Sequence, residues 1–128
     1  MPVTSAPIPT RASLLAQLLP LARQGQTITY QSLAARLGLS PPLTIHRVVL
    51  ALEALTLEDL ARDRAPLAAV VVSRHRGGIP APGFFDQLQR LGRLAPEESA
   101  EESRASLHRR LLREVQAQAC GDAWEGCA

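Results

Sequence analysis

The stretch from Thr27 to Leu52 constrains the fold most. Tyr30, Leu33, Ala34 and Leu37 recur at the three-and-four spacing of one helical face. Gly38 follows them as a residue that readily takes the left-handed conformation closing a helix. Ser40 offers a capping hydroxyl, and Pro41-Pro42 suits a first helical turn, where amides lack intrahelical partners. The next segment places Ile45, Val48, Val49, Leu52, Leu55 and Leu60 on an apolar face. Thr44, His46 and Arg47 are left to point outward from its first turn, where a recognition helix reads DNA. The pattern is that of a helix-turn-helix.

Composition decides how much can be built around it. A chain of 128 residues, 46% hydrophobic, can bury one core but hardly two. With 3% aromatic residues, Leu, Ala and Val must fill that core. No apolar run is long enough for a membrane span, and the uncharged, proline-punctuated start does not read as a secretory signal. The expectation is a cytoplasmic protein without a membrane partner. All 14 basic residues are arginine, a bias that composition alone explains, although arginine also binds phosphate bidentately. A net charge of +2 does not by itself establish a nucleic-acid partner. Cys120 and Cys127 stand in the last nine residues without the second pair or nearby histidines of a metal site, so no metal or cofactor is expected.

Along the chain, residues 1–12 read as an arm carrying three prolines, and 13–95 as the winged helix-turn-helix domain. Residues 96–119 read as a C-terminal amphipathic helix and 120–128 as a frayed tail. A first helix is predicted from a Ser13 cap through Leu14, Leu15, Leu18 and Ala22 to Gly25, kinked at Pro20. Thr27-Ile28-Thr29 is a short β-branched strand candidate. Ala68 to Val72 is the strongest strand candidate, and Ser73 to Gly78 has the polarity and glycine pair of a hairpin loop returning through Ile79 to Pro82. Strand, basic loop and return strand would make a wing, with Arg74, His75 and Arg76 at its tip. Phe84, Phe85, Leu88 and Leu91 should pack a short helix on the core. The last helix should open at Pro96-Glu97-Glu98 and end near Arg109, Arg110 and Arg113, as the helix dipole favours. The fold class is therefore mainly α with a small β-hairpin, a winged helix-turn-helix with additional C-terminal helices. Its shared core should include Leu33, Leu37, Ile45, Val49, Leu52, Val70 and Val72.

Catalytic signals are absent from the sequence pattern. His46, His75 and His108 have no ligand or catalytic spacing and read as surface histidines, and Glu97-Glu98 and Glu101-Glu102 read as a solvated helix start. Gly77-Gly78 lacks the lysine of a phosphate loop.

Two segments carry a family resemblance. Ile28-Thr29-Tyr30-Gln31-Ser32-Leu33-Ala34-Ala35-Arg36-Leu37-Gly38 and Val48-Val49-Leu50-Ala51-Leu52 resemble the DNA-binding domain of the O6-alkylguanine-DNA alkyltransferases and their non-enzymatic alkyltransferase-like relatives, over residues of about 25–83. The resemblance implies that Tyr30, with Gln31 beside it, meets the phosphate backbone, and it puts His46 where the family has an intercalating arginine. Where the family carries proline-cysteine-histidine-arginine-valine, or tryptophan for cysteine, this chain reads Pro66-Leu67-Ala68-Ala69-Val70. A leucine cannot accept an alkyl group, so alkyl transfer is not expected, and an apolar segment is a poor bed for an extruded base. The expected function is non-enzymatic DNA binding through Tyr30, Gln31, Thr44, His46, Arg47, Arg74, His75 and Arg76. The alternative is a structural winged-helix domain that meets a protein partner or a second copy.

Overall fold

The computed structural model describes residues 8–74, 77–93, 101–121 and 123–124. The chain is mainly helical, with a small two-stranded parallel sheet. In order, the elements are α1 (Arg11–Arg23), β1 (Ile28–Thr29), α2 (Tyr30–Arg36), α3 (Thr44–Ala61), a 3-10 helix (Leu67–Val70), β2 (Val71–Val72), α4 (Pro82–Arg90) and α5 (Glu101–Cys120).

Local chemistry explains most of the boundaries. Thr10, rather than Ser13, caps α1: its hydroxyl accepts the Ser13 amide at 3.1 Å, which places Arg11 inside the helix and shortens the expected arm. Residues 1–7 of that arm lie outside the described residues. Pro20 sits within α1 on its exposed side, where the carbonyl it leaves unbonded can face water. Thr29 caps α2 by accepting the Ser32 amide. Gly38, at φ 71°, ends α2 by donating to Ala35 while Leu39 donates to Ala34.

The start of α3 departs from expectation. Ser40 does not cap it, and no side chain does. The chain instead turns through Leu43 in the left-handed region (φ 58°, ψ 36°), and α3 begins at Thr44 with the Arg47 amide bonding the Leu43 carbonyl. The buried face that results is Arg47, Val48, Ala51, Leu52, Leu55, Thr56, Asp59 and Leu60. Ile45, expected in the core, is 37% exposed, whereas Arg47, expected outside, is 5% exposed. Three polar residues share the buried face, so apolar spacing alone misjudges its orientation.

The run from Ala68 to Val72, expected as a strand, is buried throughout together with residues 65–67, but it is not one strand. Leu67–Val70 coils as a 3-10 helix against α1, α3 and α5. A strand offers two faces, whereas these four buried residues must meet helices on several sides. Only Val71 and Val72 are extended, and they pair parallel to β1 with Ile28 opposite Val71 and Thr29 opposite Val72. The expected antiparallel hairpin is therefore replaced by a parallel pair. Among the described residues the return after β2 is confined to the Ser73 amide bonding the Ile79 carbonyl at 2.8 Å.

The core joins Leu14, Leu15 and Leu18 of α1, Leu33 of α2, Val48, Leu52 and Leu55 of α3, and the 67–71 run. Phe84, Phe85 and Leu88 of α4 close one side, the two rings meeting edge to face, and Leu107, Leu111 and Val115 of α5 close another. Leu91 stays exposed, and Leu37 is only partly buried against the core. The expected opening of the last helix at Pro96 falls outside the described residues, and the described helix begins at Glu101.

Two further expectations are corrected here. His108 is not a surface histidine: it is 4% exposed, with Nε2 2.8 Å from the Ala69 carbonyl oxygen. The tail is not wholly frayed either. Trp124 is 2% exposed, and its indole N–H donates to Asp59 at 2.9 Å.

Candidate nucleic-acid interface

Parallel pairing of β1 and β2 sets the end of β2 beside the start of α2, and the turn after Gly38 brings the first turn of α3 to the same place. Between them lies an open cleft of about 160 Å³ lined by Thr29, Tyr30, Gln31, Ile45, Val72, Ser73 and Arg74. Three of the sequence-derived site residues, Tyr30, Gln31 and Arg74, thus meet at one cleft. Thr44 and His46 flank Ile45 on the adjoining turn, Thr44 half-buried and His46 exposed. Gln31 and Arg74 are also exposed, and His75 and Arg76 lie outside the described residues.

Tyr30 has a defined structural task. Its hydroxyl oxygen accepts the Ala81 amide at 3.0 Å, tying the segment before α4 to the start of α2. Burial pushes the phenol above its ordinary pKa, against the opposing pull of that amide. The hydroxyl keeps its own proton as a donor.

Arg47 does not reach this surface as a free side chain. Its guanidinium turns back and donates to the Ser40 carbonyl, bridging the turn between α2 and α3. The residue counted as a base reader is therefore a brace for the turn.

A second, smaller cavity of about 40 Å³ lies beneath Tyr30, lined largely by Val49, Leu52, Ala68 and Phe84, with Thr56, Glu53 and Gln87 adding polar atoms. That volume is far below a purine ring, so this cavity has no room for an extruded base. Leu67 and Ala68, beside that cavity, are buried and apolar. Among the described residues no group of three His, Cys, Asp or Glu side chains could hold a metal ion.

The electrostatics of the surface come from chain segments rather than single contacts. None of the 12 acidic residues falls in 24–52 or 65–85, the segments that supply β1, α2, the first half of α3, β2 and the loop after it. Arg36 and Arg74 are exposed there. The residues lining the cleft offer hydroxyl, amide and guanidinium groups and include no carboxylate, while Glu53 lies in the neighbouring cavity beneath Tyr30.

Near the other end of α3, a buried node absent from the sequence reading holds the start of the 3-10 helix that leads into β2. Asp59, fully buried, accepts Arg64 Nε and Nη2 at 3.2 and 3.1 Å and the Trp124 indole on one oxygen. Its other oxygen accepts the Leu67 amide at 2.9 Å. Burial pushes this carboxyl above the usual range, while the Leu67 amide, Trp124 and Arg64 pull it back. The Arg64 guanidinium also lies over the Trp124 ring at 5.5 Å. One signal could have revealed the node: the chain's single tryptophan, stranded in an otherwise small and polar tail.

No family model, curated protein or solved structure matches this chain. No helix among the described residues is long and apolar enough to cross a membrane.

Proposed function

We propose that this chain is a non-enzymatic nucleic-acid-binding module built on a helix-turn-helix of winged type, with the first turn of α3 and the loop after β2 directed at the duplex. The observation that carries this reading is the lining of the Tyr30–Arg74 cleft, which holds an arginine and no carboxylate. Arg74 contacts the phosphate backbone together with Arg76 and His75, while Gln31, Thr44 and His46 supply hydrogen bonds to backbone or base edges. Arg47 acts indirectly by holding the turn. The likeness to the alkyltransferase DNA-binding domain supports the same orientation. Leucine and alanine at 67 and 68 support the absence of alkyl transfer, because neither supplies a nucleophile or a base.

The test is a titration of the full chain against duplex and single-stranded DNA over a range of salt concentrations. Each phosphate contact contributes a slope of about −0.9 in log affinity against log salt on duplex, so Arg74→Ala should flatten the slope by about that amount for every sequence alike. Absence of salt-sensitive association with either substrate at low ionic strength refutes the reading.

A further inference from the structure

We propose, resting on the nucleic-acid reading above, that Leu43 is an apolar wedge entering a base step of the bound duplex, so that the chain favours an easily unstacked pyrimidine–purine step. Leu43 is 67% exposed, the most exposed large hydrophobic residue among those described. It is also the N-cap of α3 and lies in the left-handed region at φ 58°, ψ 36°. The other non-glycine residue described there is Asp63, whose short polar side chain tolerates that conformation, whereas a leucine is strained by it. Glycine would turn the chain at the same place without strain and without an exposed isobutyl group. A strained backbone that carries an exposed apolar side chain at the tip of a turn marks a functional contact rather than a folding one.

Leu43 directly precedes Thr44, Ile45 and His46, and Ile45 lines the cleft that also holds Gln31 and Arg74. The turn beneath it is braced from within. The Leu39 amide donates to the Ala34 carbonyl at 3.1 Å, the Arg47 guanidinium to the Ser40 carbonyl, and the Arg47 amide to the carbonyl of Leu43 itself at 2.9 Å. Leu39, the other leucine of the turn, packs against the core, so one leucine anchors the turn and the other is presented outward. Rigidity matters here, because a side chain that must be ordered on binding loses affinity to that ordering. Charge points to DNA as the occupant: residues 24–52 hold no carboxylate, and the exposed Arg36 and Arg74 supply cations for its phosphates. An apolar side chain driven between two bases exchanges water for base faces, at the cost of partial unstacking and a kink. Pyrimidine–purine steps unstack most easily, so the wedge selects them without a hydrogen bond to any base.

The experiment uses the full chain and a duplex holding a single TA step, its adenine replaced by 2-aminopurine, whose fluorescence rises on unstacking. A second duplex has no pyrimidine–purine step, and binding to both is followed by the anisotropy of an end label. At saturation the wild type should brighten the 2-aminopurine, and it should bind the first duplex about tenfold more tightly than the second. Leu43→Gly should lose both the brightening and the preference while the salt dependence of binding stays the same. Its urea midpoint should be no lower than that of the wild type, since glycine relieves the left-handed strain. Leu43→Met, apolar and of similar reach, should keep the brightening. Arg74→Ala should weaken binding to both duplexes alike and leave the brightening at saturation intact. A wild type that binds with salt sensitivity, leaves the 2-aminopurine dark and prefers neither duplex overturns the wedge while the nucleic-acid reading stands. So does a Leu43→Gly variant that brightens the base as the wild type does. A wild type that binds neither duplex at low salt refutes that reading and the wedge with it.

Discussion

Replacing Asp59 with Asn tests the buried node most directly, since the change keeps the shape and removes the charge. The two carboxylate oxygens serve different donors: Arg64 and Trp124 on one, the Leu67 amide on the other. An asparagine has one oxygen, so whichever way its amide lies, an N–H faces an N–H. The substitution also strips the nearest counter-charge from Arg64, which is 8% exposed and keeps Glu58 at 3.6 Å. Breaking a buried pair by removing one partner costs about 3–5 kcal/mol, and the surviving Glu58 contact argues for the lower end, about 3 kcal/mol. A chain of this length is stabilised by roughly 6–19 kcal/mol, so the loss is large but survivable. With an m-value of about 2 kcal/mol/M, the urea midpoint should fall by about 1.5 M, read by far-UV circular dichroism. Trp124→Phe, which removes one donor to a charged acceptor and keeps most of the apolar ring, should cost about 1.5–2 kcal/mol. The double variant should cost less than the sum, because both changes act on one oxygen. An Asp59→Asn protein within about 0.5 kcal/mol of wild type would refute this account of the node.

Three further outcomes follow from buried polar and apolar contacts. Arg47→Ala should destabilise the fold by about 1–3 kcal/mol in the same urea titration, through loss of the Ser40 bond and of the packed side-chain stem, where an exposed arginine would cost almost nothing. His108 is held below its ordinary pKa, chiefly by burial and secondarily by Arg109, against the opposing Ala69 carbonyl. The unfolded chain therefore binds the proton more readily, so this contribution to stability is complete above about pH 6.5 and is lost as pH falls below it. The urea midpoint of the wild type should drop between pH 7 and 5 more steeply than that of His108→Gln, and parallel curves would contradict the assignment. Leu18→Ala, at a fully buried position of α1, should cost about 3–5 kcal/mol by leaving a cavity, and a cost below about 1 kcal/mol would mean that α1 is not docked as described.

The sequence by itself determined the local vocabulary: α2 from its three-and-four spacing and Thr29 start, its end at Gly38, the apolar character of the 68–72 run, and α4 from its phenylalanines. These are set by interactions within a few residues of one another, and such interactions are visible in order along the chain. It also determined the distribution of charge, since an acid-free segment remains acid-free however it packs. Tertiary structure decided what those pieces face. It turned α3 so that Arg47 and Asp59 lie inward and Ile45 outward, because polar residues can be buried once a carbonyl, an amide or an indole from another element satisfies them. It coiled 67–70 and paired Val71 with Ile28 rather than with a returning strand, because helices on several sides claimed the side chains that a hairpin would have shared between two faces. The convergence of Tyr30, Gln31 and Arg74 on one cleft depends on that parallel pairing. No spacing rule contains it, since residues 29 and 72 become neighbours only when the core between them has formed.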